Sequence, residues 1–277
     1  MLNDSNNYKG LKVRTAANEI GDVEIDSEIG TVDDCLFDDL SWAVRYLTVE
    51  TGGWLSGRRV LISAYSVSWI DWETRTVQLS LTKAQVEASP DIDTAAPVTR
   101  AQELEVLGYY NYPEYWSGPA LWGQSLHPTD LEQPDGETYE AMEHRHEVES
   151  LHSHLRGAAI VKGYYIHAID GELGHVKGFL IDDKQWAIRY LVVATRNWLP
   201  GTTVLVSPGW INNVSWEDSA VHVALTREAI KSAPPYTAET PLTRDYENSL
   251  YNHYGRPPYW IPKTNAASGA ATNYYRP

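Results

Sequence analysis

The 277-residue chain is 43% hydrophobic with a formal net charge of −15, a composition that builds packed cores and excludes a mostly disordered polymer. Its single cysteine, Cys35, allows no disulfide within the chain, and no apolar run reaches the roughly 18–20 residues of a membrane span. The charge is uneven, −10 over residues 1–118, −7 over 119–153 and +2 over 154–277, so the first two stretches repel phosphate backbones; the last has no basic stripe, and nucleic acid is not an expected partner.

The opening residues MLNDSNNYKG lack the basic start and apolar core of a signal peptide, which makes the cytoplasm the expected location. Strands are expected over residues 31–37 and 42–50, rich in Val, Leu, Trp, Tyr and Thr. Between them Asp38-Asp39-Leu40-Ser41 has the form of a hairpin turn whose acids accept from local amides. A strand over 58–63 is entered through Gly57. A hairpin follows over 67–73 and 76–81, turning at Glu73-Thr74-Arg75, with Val77, Leu79 and Leu81 on one face. Thr82-Lys83-Ala84-Gln85 has capping-box form, and its helix must stop before Pro90. A second helix starts at Thr99 and runs to about Gly108, and an aromatic hook, Tyr112-Pro113-Glu114-Tyr115-Trp116, is expected to pack back on the strands. Residues 117–153 begin rich in Pro, Gly and acids, and a short helix is expected over 140–155. The stretch 266–271 reads as a loose tail.

Most of this series is written twice. A slide of 144 residues aligns the chain with itself without gaps, and 18 of 35 positions are identical from 29 to 63. DDLSWAVRYLTV at 38–49 meets DDKQWAIRYLVV at 182–193; Trp54-Leu55 meets Trp198-Leu199, Gly57 meets Gly201, Thr99-Arg100 meets Thr243-Arg244, and Tyr115-Trp116 meets Tyr259-Trp260. A period this long excludes a solenoid and marks a duplicated domain. Short, closely spaced strands predict a mainly β protein of two small antiparallel β-barrels in tandem, each with short C-terminal helices. The expected division is 1–118 for the first barrel and its tail, 119–153 for an acidic linker, and 154–277 for the second.

The run Asp170-Gly-Glu-Leu-Gly-His-Val-Lys-Gly-Phe-Leu-Ile-Asp-Asp, followed by Trp186-Ala-Ile-Arg-Tyr-Leu-Val-Val, Trp198-Leu-Pro-Gly and Val204-Leu-Val-Ser-Pro, resembles the PRC-barrel domain. That small β-barrel occurs in the photosynthetic reaction centre H subunit, in a ribosome maturation factor and in many bacterial stand-alone proteins. The resemblance covers roughly 15–90 and 160–235. The first copy departs at Cys35, where a larger apolar residue is usual, and at Ser56, where the second copy has Pro200. The resemblance implies docking with no shared catalytic residue.

The residues themselves offer few catalytic candidates. Asp38-Asp39 and Asp182-Asp183 could bind a cation or act as acid and base; as turn residues they would bond backbone amides and face Arg45 or Arg189 on the returning strand. His144, His146, His152 and His154 lie close in sequence, without the HExxH pattern or cysteine partners of a zinc site. Cys35 reads as a small buried filler, and Gly30 and Gly174 as strand-entry or bulge glycines. Trp42 and Trp186 read as core or rim residues. Trp54 and Trp198, each ahead of a glycine turn, are expected half exposed, and with Arg45 and Arg189 form the candidate interaction set, since Trp, Tyr and Arg dominate binding hot spots. The expectation is a non-enzymatic protein-interaction or scaffold module, without cofactor or metal, that binds a protein partner, a larger membrane-associated or photosynthetic complex, or itself. The rivals are an RNA- or ribosome-associated processing factor and a metal-dependent hydrolase.

Overall fold

A computed structural model describes residues 1–16, 18–20, 23–25, 27–92, 96–130, 154–195 and 203–261. In chain order the first strands are β1 (Leu2–Asp4), β2 (Lys12–Arg14), β3 (Asn18–Ile20), β4 (Val23–Ile25), β5 (Glu28–Asp38), β6 (Ala43–Glu50), β7 (Arg59–Ser63), β8 (Val67–Asp71) and β9 (Thr76–Leu79), followed by helices α1 (Lys83–Glu87) and α2 (Arg100–Tyr110). Then come β10 (Leu155–Gly157), α3 (Ala158–Val161), β11 (Tyr165–Ala168), β12 (Gly171–Asp182), β13 (Ala187–Thr195), β14 (Thr203–Val206), β15 (Ile211–Ser215), β16 (Ala220–Val223), α4 (Arg227–Lys231) and α5 (Arg244–Tyr254). The protein is mainly β with few helices, and among the described residues no helix is long and apolar enough to cross a membrane.

The chain divides into two units. One, called N-terminal here, comprises Ser5–Ala158 with Lys184–Ala187; the other, called C-terminal, comprises Met1–Asp4, Ala159–Asp183 and Ile188–Pro277. In the N-terminal unit β6 pairs antiparallel with β5 and β7, β9 pairs antiparallel with β8, and β10 lies along the far end of β5 through Leu155↔Asp38 and Gly157↔Leu36. The C-terminal unit repeats this pattern: β13 pairs with β14, β15 with β16, and β1 lies along the end of β12 through Leu2↔Asp182 and Asp4↔Leu180.

Two features depart from the expected antiparallel barrels. Each unit contains one parallel pair, β2 with β9 and β11 with β16; these strands are linked through long excursions, as parallel neighbours require. No pairing joins β7 to β8 among the described residues, where the 3-10 turn Ala64–Ser66 intervenes, so the sheet is not closed. The β3–β4 hairpin also belongs to the first half alone among the described residues. The equivalent pairs Val13↔Gly30 and Ile166↔Gly174 are offset by 153 on one strand and 144 on the other, and this hairpin takes up the difference of nine.

Strand β6 is buried at seven of its eight residues, because one face meets the sheet interior and the other is covered. On the covered face Tyr46 and Leu61 pack with Ile92, Val98, Val106 of α2 and Leu155. The expected capping box of Thr82 with Gln85 opens α1; a second one, Thr99 with Gln102, opens α2, while Thr226 and Thr243 cap α4 and α5. Helix α2 runs through Gly108 and ends at Asn111, which takes the left-handed conformation (φ 55°) that Gly255 supplies after α5.

The turns between the long strands are closed by tryptophans in the same left-handed region, Trp42 at φ 56° and Trp186 at φ 55°. A bulky residue there is strained; Trp42 is held by stacking on Phe37, 5.2 Å between ring centroids. Gly30 is fixed by space. A Cβ at this position would lie 2.0 Å from the Glu50 carbonyl oxygen on the paired strand. Gly30→Ala is expected to lower unfolding stability by about 2–3 kcal/mol, read from the urea midpoint, while Gly53→Ala, with nothing within 4 Å of the added Cβ, stays within about 0.5 kcal/mol.

Candidate functional site

Arg45 lies on β6 with its side chain 2% exposed. Its Nη1 donates to the Leu121 carbonyl at 2.6 Å and its Nη2 to Ser41 Oγ at 2.9 Å. The guanidinium plane lies 3.8 Å from the Tyr115 ring centroid and 4.5 Å from that of Trp122. Tyr115 belongs to the expected hook, which packs back as anticipated. Its hydroxyl donates to Glu103 Oε2, and Glu103 also pairs with Arg100 at 3.0 Å. Arg100 in turn lies 3.8 Å over Trp116.

Glu103 is wholly buried, and its ionisation is displaced accordingly. Burial pushes its carboxyl up from the ordinary 4.5 to about 7, with Arg100 and the Tyr115 hydroxyl pulling the other way. The folded protein therefore holds this proton more tightly than the unfolded chain. The resulting stabilisation is complete below about pH 4.5 and is lost as pH rises through about 7. Against Glu103→Gln, which does not titrate, the wild type is expected to lose up to about 3 kcal/mol between pH 5 and pH 8. Urea midpoints at the two pH values check this, and parallel pH profiles would contradict it.

The Asp pairs serve as turn and pairing residues. Asp38 Oδ1 accepts from the Leu40 and Ser41 amides at 3.1 and 2.7 Å and from Ser41 Oγ at 2.9 Å. Arg45 thus reaches the turn through Ser41. Asp39 pairs with Arg156 of β10 at 3.0 Å and with His154 at 3.2 Å; burial raises its carboxyl, and Arg156 and His154 oppose the rise. In the C-terminal unit Arg189 does meet the turn acid, with Nη2 3.3 Å from Asp182 Oδ2.

The C-terminal unit repeats the network around Glu247 of α5. This carboxylate accepts from Tyr190 Oη at 2.8 Å and Tyr259 Oη at 3.1 Å and pairs with Arg244 at 3.0 Å. Arg244 lies 3.9 Å over Trp260, and Arg189 lies 4.2 Å over Tyr259. Beside Arg189 the unit opens into a recess of about 210 Å³. Its walls include Ser207, Trp210, Tyr251, Pro258 and Tyr259, with Ile261 at 52% exposure. The lining combines apolar rings with one 7%-exposed guanidinium, the mixture that fixes and orients a binding group.

Of the four expected interaction residues, Arg45 is committed to the interior of its unit and Arg189 lines the recess. Trp54 is half-buried. Its Nε1 donates to the Ile29 carbonyl at 2.6 Å, and Lys83 Nζ lies 4.5 Å from its ring. Trp198 lies outside the described residues, as do His144, His146, His152 and most of the helix expected over 140–155, whose final residue, Leu155, instead opens strand β10. Cys35 is buried, and burial pushes its thiol well up. Among the described residues no cluster of His, Cys, Asp or Glu forms a metal site. Sequence reading missed Glu103, Glu247 and Leu121-Trp122. The two glutamates carried a signal: Arg100-x-x-Glu103 ahead of Tyr115-Trp116 recurs in register as Arg244-x-x-Glu247 ahead of Tyr259-Trp260. Leu121-Trp122 has no counterpart in the second copy.

The strand series from β1 to α1, with the Arg-bearing central strand β6, decides the comparison with known families. Residues 3–86 match the PRC-barrel domain. The match to the PRC-barrel model spans less than half of the chain and ends within α1, ahead of α2, the hook and the Leu121-Trp122 segment. No curated protein matches the chain.

Proposed function

We propose that this protein is a non-enzymatic docking module made of two tandem PRC-type units, the C-terminal one receiving a segment of a protein partner. The observation that carries this reading is the recess beside Arg189, with the guanidiniums of Arg189 and Arg256, three aromatic rings and prolines lining a space of about 210 Å³. Pockets that enclose whole small ligands run to roughly 300–1,000 Å³, so this one suits a side chain with its flanking backbone. The PRC-barrel match over residues 3–86 is compatible with an interaction role. The buried carboxylates support it too. Glu103 and Glu247 are each held by an arginine and at least one tyrosine hydroxyl, which commits them to packing.

Affinity purification of the full chain from its own cells, with wild type and Ile261→Asp in parallel, tests the proposal. A charge at the half-exposed mouth of the recess is expected to reduce recovery of a stoichiometric protein partner at least tenfold, with the unfolding midpoint unchanged. Recovery of the same proteins at the same yield by both would overturn the assignment of the recess.

A further inference from the structure

Four strands of the C-terminal unit bring one polar row together. His167 of β11 is the partner of His222 on the parallel strand β16 and, across the register shift after Ile166, of Glu172 on β12; His222 faces Asn213 on β15. Residues paired across a sheet share a face of it. The chain neighbours of the two histidines, Ile166, Ala168, Val221 and Val223, are buried. The row therefore stands on the outer face, with Glu172 and Asn213 exposed and both histidines half-buried.

The two imidazoles lie side by side, 5.1 Å between ring centroids with their planes 31° apart. Among the described residues neither ring has a hydrogen-bond or ion-pair partner. Each neutral ring carries one donor and one acceptor nitrogen, and these are uncommitted.

The N-terminal unit fills the equivalent row differently. There Arg14 of β2 pairs with Gln78 of β9 and with Glu28 of β5, and Gln78 faces Trp69 of β8. Glu28 and Gln78 correspond to Glu172 and His222 in the register of 144, and Arg14 corresponds to His167 in the offset of 153. The acid is common to both units, whereas both inner positions are histidine in the second alone. Gln78 is tied down, donating to the Thr15 and Leu79 carbonyls at 2.9 and 3.3 Å. The histidine pair has no such tether.

We propose that His167 and His222 hold a divalent transition-metal ion of the imidazole-preferring class, such as zinc. Neutral imidazole suits zinc, copper and nickel, which separates this site from one for magnesium or calcium. Metal–nitrogen bonds of about 2.0–2.1 Å at tetrahedral angles set the centroids of two imidazoles on one ion about 5 Å apart, the spacing that β11 and β16 already provide. The pair falls short of the three protein ligands of a catalytic zinc and the four of a structural one, and among the described residues no third His, Cys, Asp or Glu completes a cluster. Solvent fills the remaining positions, so the ion exchanges readily. Glu172, one strand away, adds a charge that favours a cation. Once bound, the ion clips together two parallel strands that the chain joins only through residues 169–219, and it stabilises the folded unit by mass action. None of these residues lines the recess beside Arg189, so the site stands apart from the docking reading.

Zinc chloride titrated into the full-length protein tests the site. The protein carries His144→Gln, His146→Gln and His152→Gln, which removes the histidines clustered in sequence from competition. Calorimetry gives the affinity, and long-range proton–nitrogen spectra of the imidazoles show which rings bind. One equivalent is expected to move the His167 and His222 signals together and to raise the unfolding midpoint. His167→Gln and His222→Gln, the latter restoring the residue found at position 78, are each expected to weaken binding at least tenfold and to leave the metal-free midpoint unchanged. Zinc that moves only the signals of other histidines, an affinity unchanged in both variants, or the lack of saturable binding would overturn the assignment.

Discussion

An arginine can leave water only where acceptors meet its N–H groups in their plane and something polarisable covers the plane itself. Arg45 meets them inside its unit through Nη1, Nη2 and two ring faces, with only its Nε left without an acceptor, and much of the surrounding structure follows from doing so. The hook must return so that Tyr115 can cover one face, and the Gly118–Ser125 turn must fold so that Leu121 and Trp122 can complete the enclosure. Tyr115 must in turn be held, and its hydroxyl is held by Glu103, which requires α2 to begin at Thr99 so that the carboxylate and Arg100 meet it. The helix, the hook and the turn are therefore one device, assembled around a cation on β6.

The same device appears around Arg189, but with fewer of its parts. Glu247, Arg244, Tyr259 and Trp260 hold their places, so the electrostatic skeleton is retained. Beside Arg189 the described residues leave a recess.

Much of this architecture was legible in the sequence. The strands expected between residues 31 and 81, the starts of the helices at Thr82 and Thr99 and the turn role of Asp38 follow from local chemistry, and each reappears close to the expected residues. The β1–β12 and β10–β5 pairings were not legible, because three-residue strands such as Leu2–Asp4 have no periodicity to read and are defined only by their partners. The ungapped slide lost the equivalence of β2 and β11 because the β3–β4 hairpin shifts the register by nine. Leu121-Trp122 sat in a Pro- and Gly-rich stretch that reads as linker by composition, yet its glycines are there because Gly118 and Gly123 approach too closely for a Cβ on Gly118. The left-handed tryptophans were likewise hidden, since propensity argues against that conformation for a bulky residue.

The pairing of β1 with β12 carries a consequence for biosynthesis. Residues 2–4 are made well ahead of their partners, residues 180–182. At about 5–20 residues per second, the leading strand waits on the order of 10–30 seconds for its place in the sheet. During that interval it is a bare edge in a growing polypeptide, competing with every other exposed edge nearby. Its brevity and the acid at Asp4 limit that competition. The C-terminal unit is thereby a late-maturing one, completed by a segment made some 175 residues earlier than the strand it joins.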